Sequence, residues 1–270
     1  MRFMMLIKSD AQAEAGIMPS PEVFEAMGKY NQELIAAGAM LGGEGFKASS
    51  KGLRVHQRKD EVSIQEGPLA APHEVVAGYW ILSVKSREEA VAWAKRVPCF
   101  EGEVELREIF ELEDFPVDAS EQPGGWRDFE AEARNAAPPA RIPGTRRFVV
   151  LLQGDAATES GVLAAPEVLS EMGTFMEELT RAGALLGGDG LKPSSSAAKV
   201  RFSGGKPSLV DGPFTESKEL VAGFSVVQVK TKQEAITLAK RWLDIHVRGT
   251  GVEKGTIEIR EPFEIEDFAA

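Results

Sequence analysis

Gly38–Ser50 reads GAMLGGEGFKASS, and Gly183–Ser195 reads GALLGGDGLKPSS. Shifting the chain onto itself aligns Arg2–Val97 with Arg147–Trp242 without a gap, and about two in five of these positions are identical. Register is lost only where the second segment carries about eight extra residues, in LDIHVRGTGVEKG, and this insertion is predicted to be a loop. The chain therefore contains two copies of one domain.

The domain boundaries follow from the repeat. Copy 1 is predicted to span residues 1–115 and copy 2 residues 147–270. Residues 116–146 contain QPGG, APPA and IPG, a composition that favours extended or turn backbone, and they are predicted to be a linker. The middle of the linker, WRDFEAEARN, is a candidate for a short helix.

Each copy predicts the element order strand, helix, strand or hairpin, strand, helix, strand. The first helix of copy 1 begins at Ser20 and Pro21, with proline at the first helical position. The second opens with a capping box, Ser86 followed three residues later by Glu89. This βαββαβ order places both helices on one face of an antiparallel sheet, which is a ferredoxin-like α+β fold.

The first and third strands of each copy are apolar at consecutive positions, as in FVVLL and GFSVVQV. Strands of this kind are buried on both faces. Since the helices cover only one face, we expect the two copies to pack their open sheet faces together as an internal pseudo-dimer. Pairing with a copy from another chain, or a further homodimer, remains open.

Composition excludes several function classes. A net charge of −11 disfavours nucleic acid as a partner, because such binding needs a basic surface. No stretch approaches the roughly 20 apolar residues of a membrane-spanning helix, so no membrane association is expected. The single cysteine, Cys99, gives no sign of an oxidising compartment, and the predicted location is the cytoplasm. The three histidines lack metal-site spacing and no dinucleotide fingerprint occurs, so neither a metal nor a cofactor is predicted.

The segment Val210–Phe224 reads VDGPFTESKELVAGF. Here the chain resembles the YCII-related family, specifically its DGPF-domain branch, and the resemblance covers both copies nearly end to end. It implies a dimeric α+β barrel and a relation to small-molecule isomerases and similar enzymes of that barrel. It also implies a possible regulatory role, because members of this branch are associated with extracytoplasmic-function sigma factors.

The motif supplies the catalytic candidates. In copy 2 it is intact and its charged residues are Asp211, Glu216, Lys218 and Glu219. Copy 1 departs from the pattern and carries His73 in place of the lysine, which makes His73 a second candidate. Two interpretations stay open: a partly buried charge cluster with shifted pKa values that serves acid–base chemistry, or a solvated salt-bridge structure at a turn. The sequence Asp211-Gly212-Pro213 is typical of a turn, in which glycine is free to take a positive φ.

Four further residues are candidates for ligand binding. Phe214 would form an aromatic wall, and Glu44, Gly188 and Asp189 lie in the glycine-interrupted segments, where they could line one pocket. The glycines there either bend the strand or allow backbone to approach a ligand closely.

Two functional hypotheses follow. The first is a small-molecule-binding protein or acid–base enzyme, reaction unknown, in which copy 2 is the working half. The second is a non-enzymatic regulatory or sensor protein, possibly linked to an extracytoplasmic-function sigma factor. Both imply an unidentified small molecule or partner protein.

Overall fold

The structure is a computed structural model that describes residues 1–69, 74–115, 139–214 and 220–268. The predicted linker helix, in residues 126–135, lies outside the described residues.

The described residues of each copy form six strands and three α-helices. The elements of copy 1 are β1 Arg2–Lys8, α1 Ala11–Glu14, α2 Pro21–Ala36, β2 Met40–Gly45, β3 Leu53–Arg58, β4 Glu61–Glu66, β5 Val76–Ser83, α3 Arg87–Ala94 and β6 Gly102–Glu108. Those of copy 2 are β7 Arg146–Gln153, α4 Ala156–Glu159, α5 Pro166–Arg181, β8 Leu185–Gly190, β9 Ala198–Ser203, β10 Lys206–Asp211, β11 Val221–Val229, α6 Lys232–Thr250 and β12 Lys254–Arg260. The order confirms the predicted βαββαβ pattern, with a hairpin added after the second strand of each copy.

The helix ends follow local signals in the sequence. Helix α2 begins at Pro21 as predicted, and Gly38, just beyond its end, takes a left-handed φ of 65°. Ser86 accepts a hydrogen bond from the backbone of Glu89 at the start of α3, as the capping box predicts. The prediction of a loop in the copy 2 insertion is wrong: α6 continues through it and ends at Gly251, whose φ is 68°.

The hairpins are exchanged between the copies. One six-stranded antiparallel sheet has the order β10-β9-β6-β1-β5-β2, and the other has the order β4-β3-β12-β7-β11-β8. The β9–β10 hairpin of copy 2 thus extends the sheet of copy 1 through β6, and the β3–β4 hairpin of copy 1 extends the sheet of copy 2 through β12. Each sheet is completed by strands of the other copy.

The two sheets pack face to face. The apolar layer between them consists of buried side chains from both copies, which include Met4, Leu6, Tyr79, Leu151 and Phe224. Two further cores lie on the outer faces, between each sheet and its helices. Isolated bridges from Phe46 to Pro262 and from Ile109 to Leu191 connect the segments that follow β2 and β12, and β6 and β8. The predicted dimeric α+β barrel, built as an internal pseudo-dimer, is confirmed.

Candidate functional site

Buried charged residues occupy two equivalent positions in the barrel. Each lies where the last strand of one copy pairs with the hairpin of the other. The first, called here the Arg107 cluster, comprises Glu103, Glu105 and Arg107 of β6 with Glu159, Ser194 and Lys199 of copy 2. The second, called the Arg260 cluster, comprises Glu258 and Arg260 of β12 with Glu14, Ser49 and Arg54 of copy 1. Alternate residues of β6 and β12 point into the barrel, so these charges follow from strand geometry.

Arg107 is the centre of the first cluster. Its side chain is fully buried, and Nη1 lies 3.3 Å from Glu105 Oε1 while Nη2 lies 3.1 Å from Glu159 Oε1. Nη2 also donates to the backbone oxygen of Lys192 at 2.7 Å. Because a buried cation is tolerated only when it is paired and hydrogen-bonded, these contacts are what hold Arg107 in the interior.

Lys199 of the hairpin continues the same cluster. Its Nζ lies 2.9 Å from Glu103 Oε1 and 3.9 Å from Glu105 Oε2. Glu103 also binds Arg201, whose Nε lies 2.8 Å from Oε2. Burial raises the pKa of Glu103, but the hydrogen bonds and charges of Arg201 and Lys199 outweigh it and hold that pKa below its ordinary value. Glu103 is therefore an ionised carboxylate that bridges two cations.

The DGPF motif is anchored to this cluster. The backbone N–H of Phe214 donates to Ser194 Oγ at 3.2 Å, and the backbone N–H of Ser194 donates to Glu159 Oε2 at 2.9 Å. The ring of Phe214 covers Lys199, whose Nζ lies 4.7 Å from the ring centroid, a cation–π distance. A Cβ on Gly212 would stand 1.8 Å from the Ser194 carbonyl oxygen. The φ of Gly212 is not positive, so this close approach is what requires glycine here.

The Arg260 cluster repeats these contacts with different partners. Arg260 Nη1 lies 3.1 Å from Glu258 Oε1 and donates to the backbone oxygen of Val76 at 2.6 Å. Arg54 of the hairpin lies 2.9 Å from Glu258 Oε2 through both Nε and Nη2. Its Nη1 makes no hydrogen bond to any described residue. Thr256 stands at the position equivalent to Glu103, opposite His56 of the hairpin.

A cleft of about 450 Å³ opens beside Arg54, and we call it the hairpin cleft. It is lined by residues of both copies: Arg54, His56 and Glu74 of copy 1, and Gln153, Gly154, Asp155, Lys254, Gly255 and Thr256 of copy 2. Both ring nitrogens of His56 have partners, with Nδ1 3.0 Å from Thr256 Oγ1 and Nε2 3.1 Å from Gln65 Oε1. The cleft thus combines a guanidinium, an ammonium and carboxylates.

Asp155 is the carboxylate with the most constrained position on the cleft wall. Its Oδ1 accepts the backbone N–H of Thr158 as the N-cap of α4, and its Oδ2 lies 2.6 Å from His246 Nε2. His246 is buried beneath the cleft on the part of α6 that the sequence predicted to be a loop. Burial raises the pKa of Asp155, but its hydrogen bonds to His246 and Thr158 lower it more, so it lies below the ordinary aspartate value. Asp155 is therefore ionised at neutral pH.

The structure separates the described candidates that the sequence suggested. Asp211 ends the edge strand β10, is 64% exposed and pairs with Arg87. Asp189 binds Arg2 Nη1 at 2.9 Å, and Glu44 binds Arg147.

Gly188, by contrast, lies against a neighbouring strand, since a Cβ there would stand 2.7 Å from the Phe224 carbonyl oxygen. Strand β8 also shifts register nearby, so bending of the strand explains these glycines. Of these candidates, Phe214 lies next to a buried charge cluster.

The remaining candidates are not described. Glu216, Lys218, Glu219 and His73 lie outside the described residues, so their predicted roles stay predictions. Among the described residues, no group of three or more histidine, cysteine, aspartate or glutamate side chains is arranged to hold a metal ion.

Comparison with known proteins assigns the chain to a family. The YCII-related domain matches residues 1–113 and 147–245, one match in each copy. The chain belongs to the YCII-related family. It is also 32% identical over 73 residues to an uncharacterized protein of Rhizobium meliloti (strain 1021), a match that covers 27% of this chain and 59% of that relative. Family membership thus agrees with the tandem fold, and neither match names a reaction.

The charged residues that the barrel buries are not among the candidates predicted from the sequence. They are Glu105, Arg107, Glu258 and Arg260, and both last strands contain Glu-x-Arg in an alternating apolar pattern. The residues between these charges are apolar and face the other side of the sheet. Since both faces of the sheet were expected to be covered, the alternation indicates that the charged side chains are buried as well. Asp155 and His246 carried no comparable signal, since 90 residues separate them in the sequence.

In the part of the chain that the structure describes, no helix is both long and apolar enough to cross a membrane.

Proposed function

We propose that the protein binds a small polar molecule in the hairpin cleft and that Asp155 acts there as a proton acceptor. The observation that carries this proposal is the pair formed by Asp155, on the cleft wall, and the buried His246, 2.6 Å apart. A fixed carboxylate–imidazole pair facing a cleft is a common acid–base arrangement in enzymes.

The ionisation of Asp155 supports this role. A carboxylate that stays charged at neutral pH can accept a hydrogen bond or a proton from a bound molecule. His246 stabilises that charge from beneath, and its position on a buried face of α6 fixes the distance between the two groups. The lowered pKa makes Asp155 a weak base, so the proposed proton acceptance needs a ligand whose proton is itself acidic or is stabilised elsewhere in the cleft.

The cleft also supplies groups that orient a ligand. Arg54 presents an unused Nη1, and Lys254 lines the same wall. Since Arg54 and Asp155 belong to different copies, the complete site exists only when the exchanged hairpin β3–β4 is paired with β12. This dependence on both copies is a reason for the tandem arrangement to persist.

A structural role for Asp155 is the competing explanation, because Asp155 caps α4. The variant Asp155→Asn separates the two roles, since asparagine caps a helix as well as aspartate but carries no charge. Asp10 offers a matched control. It occupies the equivalent position in copy 1, caps α1 through the backbone of Gln12 and Ala13, and is exposed.

The test is a ligand-observed NMR screen of small polar metabolites against the wild-type protein, Asp155→Asn and Asp10→Asn. We expect compounds that bind the wild-type protein to bind Asp155→Asn at least tenfold more weakly and to bind Asp10→Asn unchanged. Compounds that bind all three proteins equally would show that Asp155 is a structural cap and would refute the proposal.

The same screen distinguishes an enzyme from a sensor. A bound compound that is chemically converted, and is not converted by Asp155→Asn, identifies an acid–base enzyme. A compound that binds without conversion favours a sensor. The association with a sigma factor and the greater importance of copy 2 remain predictions that rest on the family resemblance and on motif residues outside the described part of the chain.

A further inference from the structure

The two hairpins bind their cations differently. In the Arg107 cluster, the hairpin cation Lys199 lies 2.9 Å from Glu103, a carboxylate of the neighbouring strand β6. In the Arg260 cluster, the hairpin cation Arg54 pairs with Glu258, and Thr256 replaces the carboxylate of Glu103. Nη1 of Arg54 makes no hydrogen bond to any described residue. One cation is thus saturated by the protein and the other is not.

A second position differs in the same direction. Glu101 precedes β6, and its carboxylate accepts the backbone N–H of Gly204 in the turn of the β9–β10 hairpin. At the equivalent position of β12 stands Lys254, which lines the hairpin cleft. The carboxylates of Glu101 and Glu103 are therefore replaced by a lysine and a threonine. The cation Arg201 is replaced by His56 at the same time. With histidine neutral, the wall of the hairpin cleft carries more positive charge than the equivalent region of the Arg107 cluster.

We infer that the ligand of the hairpin cleft carries a carboxylate, which binds Arg54 in the place that Glu103 occupies in the Arg107 cluster. This inference rests on the proposed function, because it names the class of molecule that the same cleft would bind. Glu103 shows the geometry: its two oxygens lie 2.9 Å from Lys199 Nζ and 2.8 Å from Arg201 Nε. A ligand carboxylate would bind Arg54, the equivalent of Lys199, in the same manner, and Lys254 adds a second positive charge to the cleft lining.

The available donors suit a carboxylate. Glu258 already occupies Nε and Nη2 of Arg54, which leaves the Nη1 donors for an oxygen that approaches from the cleft. Guanidinium groups bind carboxylate and phosphate oxygens through charge-assisted hydrogen bonds. Asp155, which lines the same cleft, then selects for a hydrogen-bond donor on the same molecule. A small hydroxy acid or amino acid satisfies both requirements.

Two reciprocal substitutions test the inference. Thr256→Glu would give the hairpin cleft its own carboxylate, as in the Arg107 cluster, and so would compete with the ligand. Glu103→Thr would remove that carboxylate from the Arg107 cluster and free Lys199 and Arg201. Circular dichroism will show whether Thr256→Glu folds. If it does not, Arg54→Gln takes its place, because it removes the cation that the ligand would bind.

The measurement is a titration with sodium succinate, sodium lactate and sodium phosphate at constant ionic strength. The readout is the backbone amide chemical shifts of His56 and Arg201 in ¹⁵N-labelled protein, because these residues pair with Thr256 and Glu103 and are present in every variant. We expect succinate or lactate to bind the wild-type protein with a Kd of about 1 mM, a reasonable affinity for so small an anion. Binding should weaken at least tenfold in Thr256→Glu and in Arg54→Gln, and Glu103→Thr should gain a second binding event.

Three outcomes would overturn the inference: no binding by either carboxylate, equal binding to the wild-type protein and Thr256→Glu, or binding of phosphate alone. The failure of the proposed function looks different. If metabolites from the screen bind in a manner that depends on Asp155 while succinate and lactate do not bind, the proposed function stands and the carboxylate class is wrong. If the metabolites also bind independently of Asp155, both are wrong.

Discussion

The Arg107 cluster and the Arg260 cluster arise from one duplicated arrangement and have diverged at their edges. In both, a buried arginine on the last strand binds the glutamate two residues before it and a backbone oxygen of the opposite copy. These contacts join the last strand of each copy to the other copy. At the hairpin cation, however, Glu103 in one cluster corresponds to Thr256 in the other. Duplication has kept the supporting contacts and changed the group that faces the cleft.

The clusters also leave different polar atoms without a hydrogen bond. In the Arg107 cluster, the buried atom Glu105 Oε2 has no hydrogen-bond partner among the described residues. In the Arg260 cluster, the buried atom without such a partner is Arg260 Nε. An unsatisfied buried atom costs free energy, and more so when it is charged. Neither cluster therefore has all of its buried polar atoms hydrogen-bonded to described residues.

The largest effect that tests this comparison comes from the two arginines. Arg107→Ala should lower the free energy of unfolding by roughly 3–5 kcal/mol, because it leaves the carboxylate of Glu105 buried without its strongest partner. Arg260→Ala should cost less, since its Nε has no partner and Glu14 lies 3.9 Å from Nη2. Urea denaturation measures both.

The control for this pair is Arg201→Ala, whose side chain is 57% exposed. Its exposed ion pair should contribute less than about 1 kcal/mol. If Arg107→Ala lowered the free energy of unfolding no more than Arg201→Ala, the buried ion pairs of Arg107 would not stabilise the barrel. Arg107 and Arg260 would then not be the residues on which the two clusters should be compared.

The sequence predicted the overall fold well because its signals were local or periodic. Proline at the start of α2, the capping box of α3 and the doubly apolar strands β7 and β11 each dictate one element or one buried face. The wrong loop in the copy 2 insertion has a physical reason. Leu243, Ile245 and Val247 in that insertion bury their side chains in the core, and this burial extends α6 until Gly251 ends it.

The exchange of hairpins could not be predicted from such signals. The β3–β4 sequence specifies a hairpin, but β6 and β12 are both alternating strands with Glu-x-Arg, so the sequence offers it two similar partners. The candidate site depends on that choice. Arg54 and Asp155 line the same cleft only because the hairpin of copy 1 pairs with β12 of copy 2. The motif predicted a site from the residues of one copy, whereas the cleft combines residues of both.

The contribution of Glu103 to stability should depend on pH, and its expected size is intermediate among these effects. The pKa of Glu103 is lowered in the folded protein, where its bonds to Arg201 and Lys199 outweigh burial. A group of this kind stabilises the fold above its unfolded pKa, and the contribution disappears as pH falls through the lower folded pKa. Glu103→Gln should therefore cost about 1.5 kcal/mol at pH 7, the size of a hydrogen bond to a charged group, and progressively less below pH 4.5, its ordinary value.

Urea denaturation of both proteins between pH 3 and pH 7 measures this dependence. Glu61→Gln is a suitable control, because Glu61 is an exposed residue of the edge strand β4 and its substitution should change stability by less than about 0.5 kcal/mol. If the free energies of unfolding of Glu103→Gln and the wild-type protein differed by the same amount at every pH, the charge of Glu103 would not contribute to stability. The replacement of Glu103 by Thr256 in the other cluster would then not be a loss of a stabilising charge.

The smallest effect concerns the aromatic residue of the motif, which is Phe214 in copy 2 and Leu69 in copy 1. Phe214→Leu should cost about 0.5–1 kcal/mol, because it removes the ring over Lys199 but leaves the backbone hydrogen bond to Ser194 intact. A double-mutant cycle with Lys199→Met isolates the ring–cation term from the other contacts of the lysine. We expect a coupling energy of the same size. A coupling within the error of about 0.3 kcal/mol would show that Phe214 only fills space, and the replacement by leucine in copy 1 would then say nothing about which cluster binds a ligand.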